Sequence, residues 1–117
     1  MKIKISGIGS YIPEMKVANA DFNKHVFLNE DGSPFGYPNE VVIQKFKSIT
    51  GIDQRRYAAK DQCASDLAFL ASIKAIENAR IDPETIDYII FAHNFGDVKY
   101  GSKQSDIIPS LATRVKH

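Results

Sequence analysis

The chain has one cysteine, Cys63, and no tryptophan among its 117 residues. A single thiol excludes a disulfide within the chain and any metal cage built from several cysteines. No apolar run approaches the roughly 20 residues that a bilayer span requires. The opening Met1-Lys2-Ile3-Lys4-Ile5 has too short an apolar stretch for a secretory signal. An excess of charge of either sign is also missing. Fifteen basic and 14 acidic residues leave a formal +1, which gives no electrostatic reason to expect nucleic acid or an acidic membrane as partner. A cytoplasmic location is the resulting expectation. What is there is ordinary for a globular protein, 44% hydrophobic and 25% charged, so a core can form.

Residues 2–8 alternate polar and apolar, with Ile3 and Ile5 on one face, and predict a strand. Gly7, Gly9 and Pro13 then punctuate the chain. Asn19 is placed to cap a short helix from about Ala20 to Val26, with Asp21 in its first turn. Residues 27–38 hold two glycines, two prolines and three aromatics, Phe27, Phe35 and Tyr37. They predict an irregular loop packed against something rather than a free linker. Asn39 caps a helix from Glu40 to about Ser48, and Gly51 ends it in a left-handed conformation. Residues 52–58 read as extended.

The clearest element is a helix from Cys63 to Arg80, where Ala64, Leu67, Ala68, Ala71, Ala75, Ile76 and Ala79 recur at three- and four-residue spacing. Asp61 is a possible cap for it, and Pro83 stops any continuation before a short turn. Asp87 to Ala92 is a continuous apolar run, as in a strand covered on both faces. Residues 94–106 are polar, and Pro109 sits where a further helix opens, with Ser110 to His117 as its first turns. The order is that of an α/β protein. With two clear strands and no stop signal after the last helix, the chain reads as part of a larger fold.

Few residues offer chemistry. Gly7-Ile8-Gly9 follows a strand, but Ile12 stands where a phosphate-binding turn needs a third glycine, so no nucleotide cofactor is expected. His25, His93 and His117 lie in three different elements without metal-ligand spacing, so no metal is expected. His93 stands at the C-terminal end of the apolar strand, where open α/β sheets bind ligands. Arg55 and Arg56 can hold a phosphate or carboxylate through forked contacts. These three are the candidate substrate-binding residues. Lys99, Lys103, Arg114 and Lys116, mixed with Asp97 and Asp106, read as a solvated surface. Cys63 reads as a helix-start residue; as a nucleophile it would need a lowered pKa.

Several segments together resemble one enzyme family. Gly7-Ile8-Gly9-Ser10-Tyr11-Ile12-Pro13-Glu14 with Asn19-Ala20-Asp21, then Thr50-Gly51-Ile52 with Arg55, resemble the opening of 3-oxoacyl-ACP synthase III enzymes. So do Ser65-Asp66-Leu67-Ala68, Ala75-Ile76, Ile81-Asp82-Pro83 and Ile86 to Ala92, in order and in spacing. The resemblance implies a partial thiolase-like fold, with residues 1–117 forming the N-terminal portion of the first α/β half. It also implies a homodimer acting on acyl-CoA or acyl-ACP and malonyl-ACP. In that family a cysteine takes the acyl group, and the carbanion left when malonyl-ACP loses carbon dioxide attacks the thioester. The catalytic residues are expected beyond residue 117, which would leave this chain inactive alone. Lys45 and Ile49 stand at the positions where common members grip CoA with tryptophan and arginine. A hydroxymethylglutaryl-CoA synthase and a non-catalytic small α/β interaction module are the alternative readings.

Overall fold

The computed structural model describes residues 2–116. They form two compact units, one of Glu14–Tyr57 and one of the residues up to Pro13 together with those from Ala58 onward. Helix and strand are mixed in both.

The first unit is closed by two short antiparallel strands, β1 (Met15–Ala18) and β2 (Gln54–Tyr57), with Met15 opposite Tyr57 and Ala18 opposite Gln54. The helix expected at residues 20–26 is a tighter 3-10 helix at Asn19–Lys24. Asn19 does not cap it, because its side chain is engaged elsewhere. The side-chain amide donates to the Ile52 carbonyl at 2.7 Å, and its oxygen accepts from Arg55 Nη1 at 2.6 Å. Asp21 takes the capping role instead, accepting from the Ala18 N–H at 2.7 Å.

Helix α1 (Asn39–Thr50) follows. Asn39 again does something other than cap: it donates to the carbonyls of Asn23 and His25 at 2.8 Å each. Gly51 ends the helix with φ 67°, its N–H on the Lys47 carbonyl. That left-handed position has no Cβ to crowd it, as the sequence leads one to expect. Residues 27–38 are irregular, with a single bridge between Leu28 and Pro34 around an Asp31–Ser33 turn. Phe27 reaches the interior and meets Phe46 edge-on at 5.7 Å. Phe35 and Tyr37 pair with each other and stay in solvent, 40% and 57% exposed.

The second unit is organised on α2 (Ala64–Ala79). Residues 7–11 run antiparallel along it. Ile8 N–H donates to Asn78 Oδ1 at 3.1 Å, and Tyr11 Oη accepts from Gln62 Nε2 at 3.5 Å. The two glycines and the alanine stripe explain each other. A Cβ on Gly7 would come within 2.6 Å of the Ala79 methyl, and one on Gly9 within 2.9 Å of Ala75 Cα and closer still to the Ala71 carbonyl. Glycine faces alanine so that two backbones can touch, which is what the failed phosphate motif is for.

Two expected strands are not formed within the described residues. Ile3 and Ile5 of segment 2–8 are 84% and 77% exposed. In segment 87–92, Ile89 and Phe91 are part-covered while Tyr88 and Ile90 are 88% and 94% exposed. Neither face is buried in the way the apolar run predicts. A hydrophobic pattern states which face should be covered, but a strand exists only when a neighbour takes its backbone hydrogen bonds. The paired strands of this unit lie further on, β3 (Asp97–Val98) and β4 (Ser105–Asp106), joined antiparallel. The closing helix α3 (Leu111–Lys116) buries Leu111 and Val115, and α2 packs on it. His117 lies outside the described residues.

The packing predicts that Gly9→Ala destabilises the protein carrying this chain by about 1–3 kcal/mol, the usual cost of overpacking. Gly36→Ala, whose added Cβ meets nothing within 4 Å, should be neutral. Urea unfolding midpoints check both.

Candidate functional site

The largest group of polar contacts in the second unit lies where the N-terminus of α2 meets the β3–β4 hairpin. Cys63 precedes α2, and its N–H donates to Asp66 Oδ2 at 2.7 Å. Asp97, 3% exposed, lies against the same helix end. Its Oδ1 accepts from the Ser65 N–H at 2.8 Å and its Oδ2 from the Ser65 hydroxyl at 2.6 Å. Arg114 Nη1 completes the set at 2.8 Å. Asp61 does not cap the helix. Asp66 and Asp97 satisfy the free N–H groups there and suit the positive end of the helix dipole.

Arg114 ties three pieces of chain together. Besides Asp97 it pairs with Asp106 at 2.9 Å, and it donates to the carbonyls of Ile108 and Pro109 at 2.8 and 3.1 Å. These contacts correct the expectation that Asp97 and Arg114 belong to a solvated surface. Nothing local marks them, since Asp97 meets Ser65 across 32 residues and Arg114 across 17. Burial alone would raise the Asp97 carboxyl, but hydrogen bonds from Ser65 and Arg114 outweigh it and hold the group below the usual carboxylate range. The hydrogen bond from Arg114 lowers Asp106 as well.

Beside this network is an open cleft of about 460 Å³, lined by Lys60, Asp61, Cys63, Asp66, Lys99 and Tyr100 among others. Its charges are balanced. The Cys63 thiol donates to the Val98 carbonyl at 3.7 Å. Burial pushes the thiol up, and Asp97 and Asp66 push it further. A nucleophilic thiolate needs the opposite shift, so the surroundings of Cys63 favour the helix-start reading. Among the described residues, no group of three or more His, Cys, Asp or Glu side chains could hold a metal ion.

The three candidate substrate-binding residues are divided between the units. Arg55 is inside the first, with its guanidinium 5.5 and 5.6 Å from the ring centres of Phe22 and Phe46 and bonded to Asn19. Stacking on two rings and a fixed acceptor make it a tie between β2 and the helices. Arg56, its neighbour on β2, is exposed and donates to the Glu14 carbonyl at 3.2 Å. His93 lies in the second unit, where its Nδ1 accepts from the Gly96 N–H at 2.9 Å and its ring meets Phe91 at 5.6 Å. An accepting Nδ1 leaves the ring proton on Nε2 when the side chain is neutral.

Comparison with known proteins finds one group of similar proteins. No family model matches the chain. It is 40% identical over 114 residues to a beta-ketoacyl-[acyl-carrier-protein] synthase III of Staphylococcus haemolyticus, covering 97% of this chain and 32% of that protein. It is 40% identical over 95 residues to the protein of that name in Fusobacterium nucleatum, covering 81% of this chain and 25% of the relative. A Staphylococcus aureus protein of the same name is 37% identical over 113 residues. The chain belongs to the beta-ketoacyl-[acyl-carrier-protein] synthase III family, and it spans about a third of the length of the curated relatives it matches.

Asp97→Ala would leave the Ser65 hydroxyl and Arg114 without their shared acceptor. A loss of about 2–4 kcal/mol is expected in urea unfolding of the protein carrying this chain. The pH dependence has a definite sign. Asp97 and Asp106 have folded pKa values below their unfolded ones, so their contribution is full above the ordinary carboxylate range and fades as pH falls through the lowered values. The protection of amides 97–106 relative to their intrinsic exchange rates should therefore fall on acidification below about pH 4, and Asp97→Ala should flatten that response.

Proposed function

We propose that this chain is the N-terminal portion of a thiolase-fold acyl-condensing enzyme. The whole enzyme would join an acyl group from acyl-CoA or acyl-ACP to malonyl-ACP by decarboxylative Claisen condensation. A cysteine outside this chain would take the acyl group as a thioester and release the donor thiol. Malonyl-ACP would lose carbon dioxide, its carbanion would attack the thioester carbonyl, and the cysteine thiolate would leave. The observation that carries this reading is the match along 97% of the chain to about a third of each relative's length. Two features of the molecule support it. Its one thiol is shifted away from reactivity, and the outer faces of segments 2–8 and 87–92 are apolar and uncovered.

Within this proposal the chain is scaffold. Residues 2–8 and 87–92 would become strands when the rest of the enzyme supplies their neighbours, and the whole would act as a cytoplasmic homodimer. Arg56 and His93, both exposed, are its candidates for substrate contact, while Arg55 is committed to its own unit.

The test is an assay of the purified chain beside the full-length gene product, with acyl-CoA and malonyl-ACP, following carbon dioxide release and the 3-oxoacyl product. The full-length protein should be active and the chain alone inert. Condensation by the chain alone would end the proposal, as would a full-length protein inert toward every acyl-CoA and acyl-ACP donor tried. Cys63→Ser in the full-length protein should leave the rate unchanged. A bare apolar edge invites pairing with another copy, so the isolated chain should self-associate in sedimentation.

A further inference from the structure

The chain contains one Asp–Gly bond, Asp31–Gly32, and no Asn–Gly bond. An Asp–Gly bond is chemically labile, because the glycine has no Cβ to keep its backbone nitrogen away from the aspartate side chain. Gly32 N would form a bond to Asp31 Cγ, and the carboxyl hydroxyl would leave as water with the amide proton. The five-membered imide then takes up one water. Opening between Gly32 N and Asp31 Cγ restores aspartate. Opening between Gly32 N and the main-chain carbonyl carbon of Asp31 leaves isoaspartate, with the chain running through the side chain. Water is the one co-reactant.

Contacts within the turn engage both reacting groups. Gly32 N–H donates to the Asn29 carbonyl at 2.9 Å. Asp31 Oδ1 accepts from the Ser33 N–H at 2.9 Å and from the Ser33 hydroxyl at 2.6 Å. The hydroxyl is itself held, since its oxygen accepts from Asn29 Nδ2 at 3.0 Å. Attack needs the neutral carboxyl, because a carboxylate has no hydroxyl to lose. The Ser33 hydroxyl and then the Ser33 N–H favour the carboxylate and hold Asp31 below the usual range. Attack also needs Gly32 N to leave the Asn29 carbonyl and the carboxyl to leave Ser33. We propose that Asp31–Gly32 is a site of spontaneous isoaspartate formation that Asn29 and Ser33 keep closed in the folded protein. These contacts all lie within residues 29–33, so the inference depends neither on what covers the loop nor on the proposed reaction. Isoaspartate adds one carbon to the backbone and shortens the branch that carries the carboxylate. The turn could not then close on Ser33 in the same way, and the change would persist.

The full-length protein carrying this chain tests it. Folded and urea-unfolded samples are aged at the same mildly acidic pH and temperature, and isoaspartate at residue 31 is followed by peptide separation and mass spectrometry. It should accumulate in the unfolded sample and much more slowly in the folded one. Ser33→Ala should speed the folded protein by about fivefold, as expected when one hydrogen bond is lost, with the urea midpoint unchanged. Ser33→Thr, which keeps a hydroxyl, should stay near the wild-type rate. Equal rates in folded and unfolded wild type would overturn the proposal, and so would an absence of isoaspartate in urea. A Ser33→Ala rate equal to that of wild type would also count against it, as would a Ser33→Thr rate as high as that of Ser33→Ala. Should Ser33→Ala lower the urea midpoint, Asn29→Ala replaces it. That variant removes the donor to the Ser33 hydroxyl and should raise the rate in the same direction; no rise would end the idea.

Discussion

The second unit depends on the Asp97 carboxylate. It is almost without water, and it is satisfied by Ser65 through both N–H and hydroxyl and by Arg114. A buried carboxylate without these donors would be strongly unfavourable. The start of α2, the hairpin and α3 must therefore converge on one point. Such a pair adds little net stability over an apolar contact of equal volume, but it tolerates one arrangement only. Precise placement of a hairpin that buries no apolar side chain beyond Asp97 follows from that.

The first unit repeats the principle with different groups. Arg55 sits between Phe22 and Phe46 and bonds to Asn19, and Asn19 bonds back to the Ile52 carbonyl. Here too a polar group stands where a small domain would usually have aliphatic side chains. Among the described residues the buried hydrophobic ones are Val42, Leu111 and Val115, while Ile3, Ile8, Tyr88 and Ile90 face outward. For a chain of this size that is an inverted distribution. It is what a segment looks like when the surfaces its sequence was built to cover are not supplied by its own residues, and this joins the packing to the proposed role as scaffold.

Glycine and alanine show how the same letters can carry two meanings. A Gly-x-Gly after a polar-apolar alternation is a fragment of a phosphate-binding turn, and its chemical reading fails at Ile12. The structural reading succeeds because α2 presents Ala71, Ala75 and Ala79 to those glycines. The sequence contained both halves of this contact, far apart along the chain, but nothing in either half names the other.

Local physics was legible in the residues themselves. The period of α2, the left-handed stop at Gly51, the turn at Pro83 and the irregular stretch 27–38 follow from backbone sterics and helix periodicity. Motif order likewise pointed to the family. Contacts between distant residues were not legible. Asn19 and Asn39 look like caps and are cross-ties, Arg55 looks like a ligand grip and is enclosed by rings, and Asp97 looks solvated and is buried. Each of these was decided by a partner far along the chain, because a polar side chain takes the role that its tertiary neighbours leave open. The apolar runs 2–8 and 87–92 mark the same boundary from the other side: sequence determined which faces need covering, and only three-dimensional packing determines whether anything covers them.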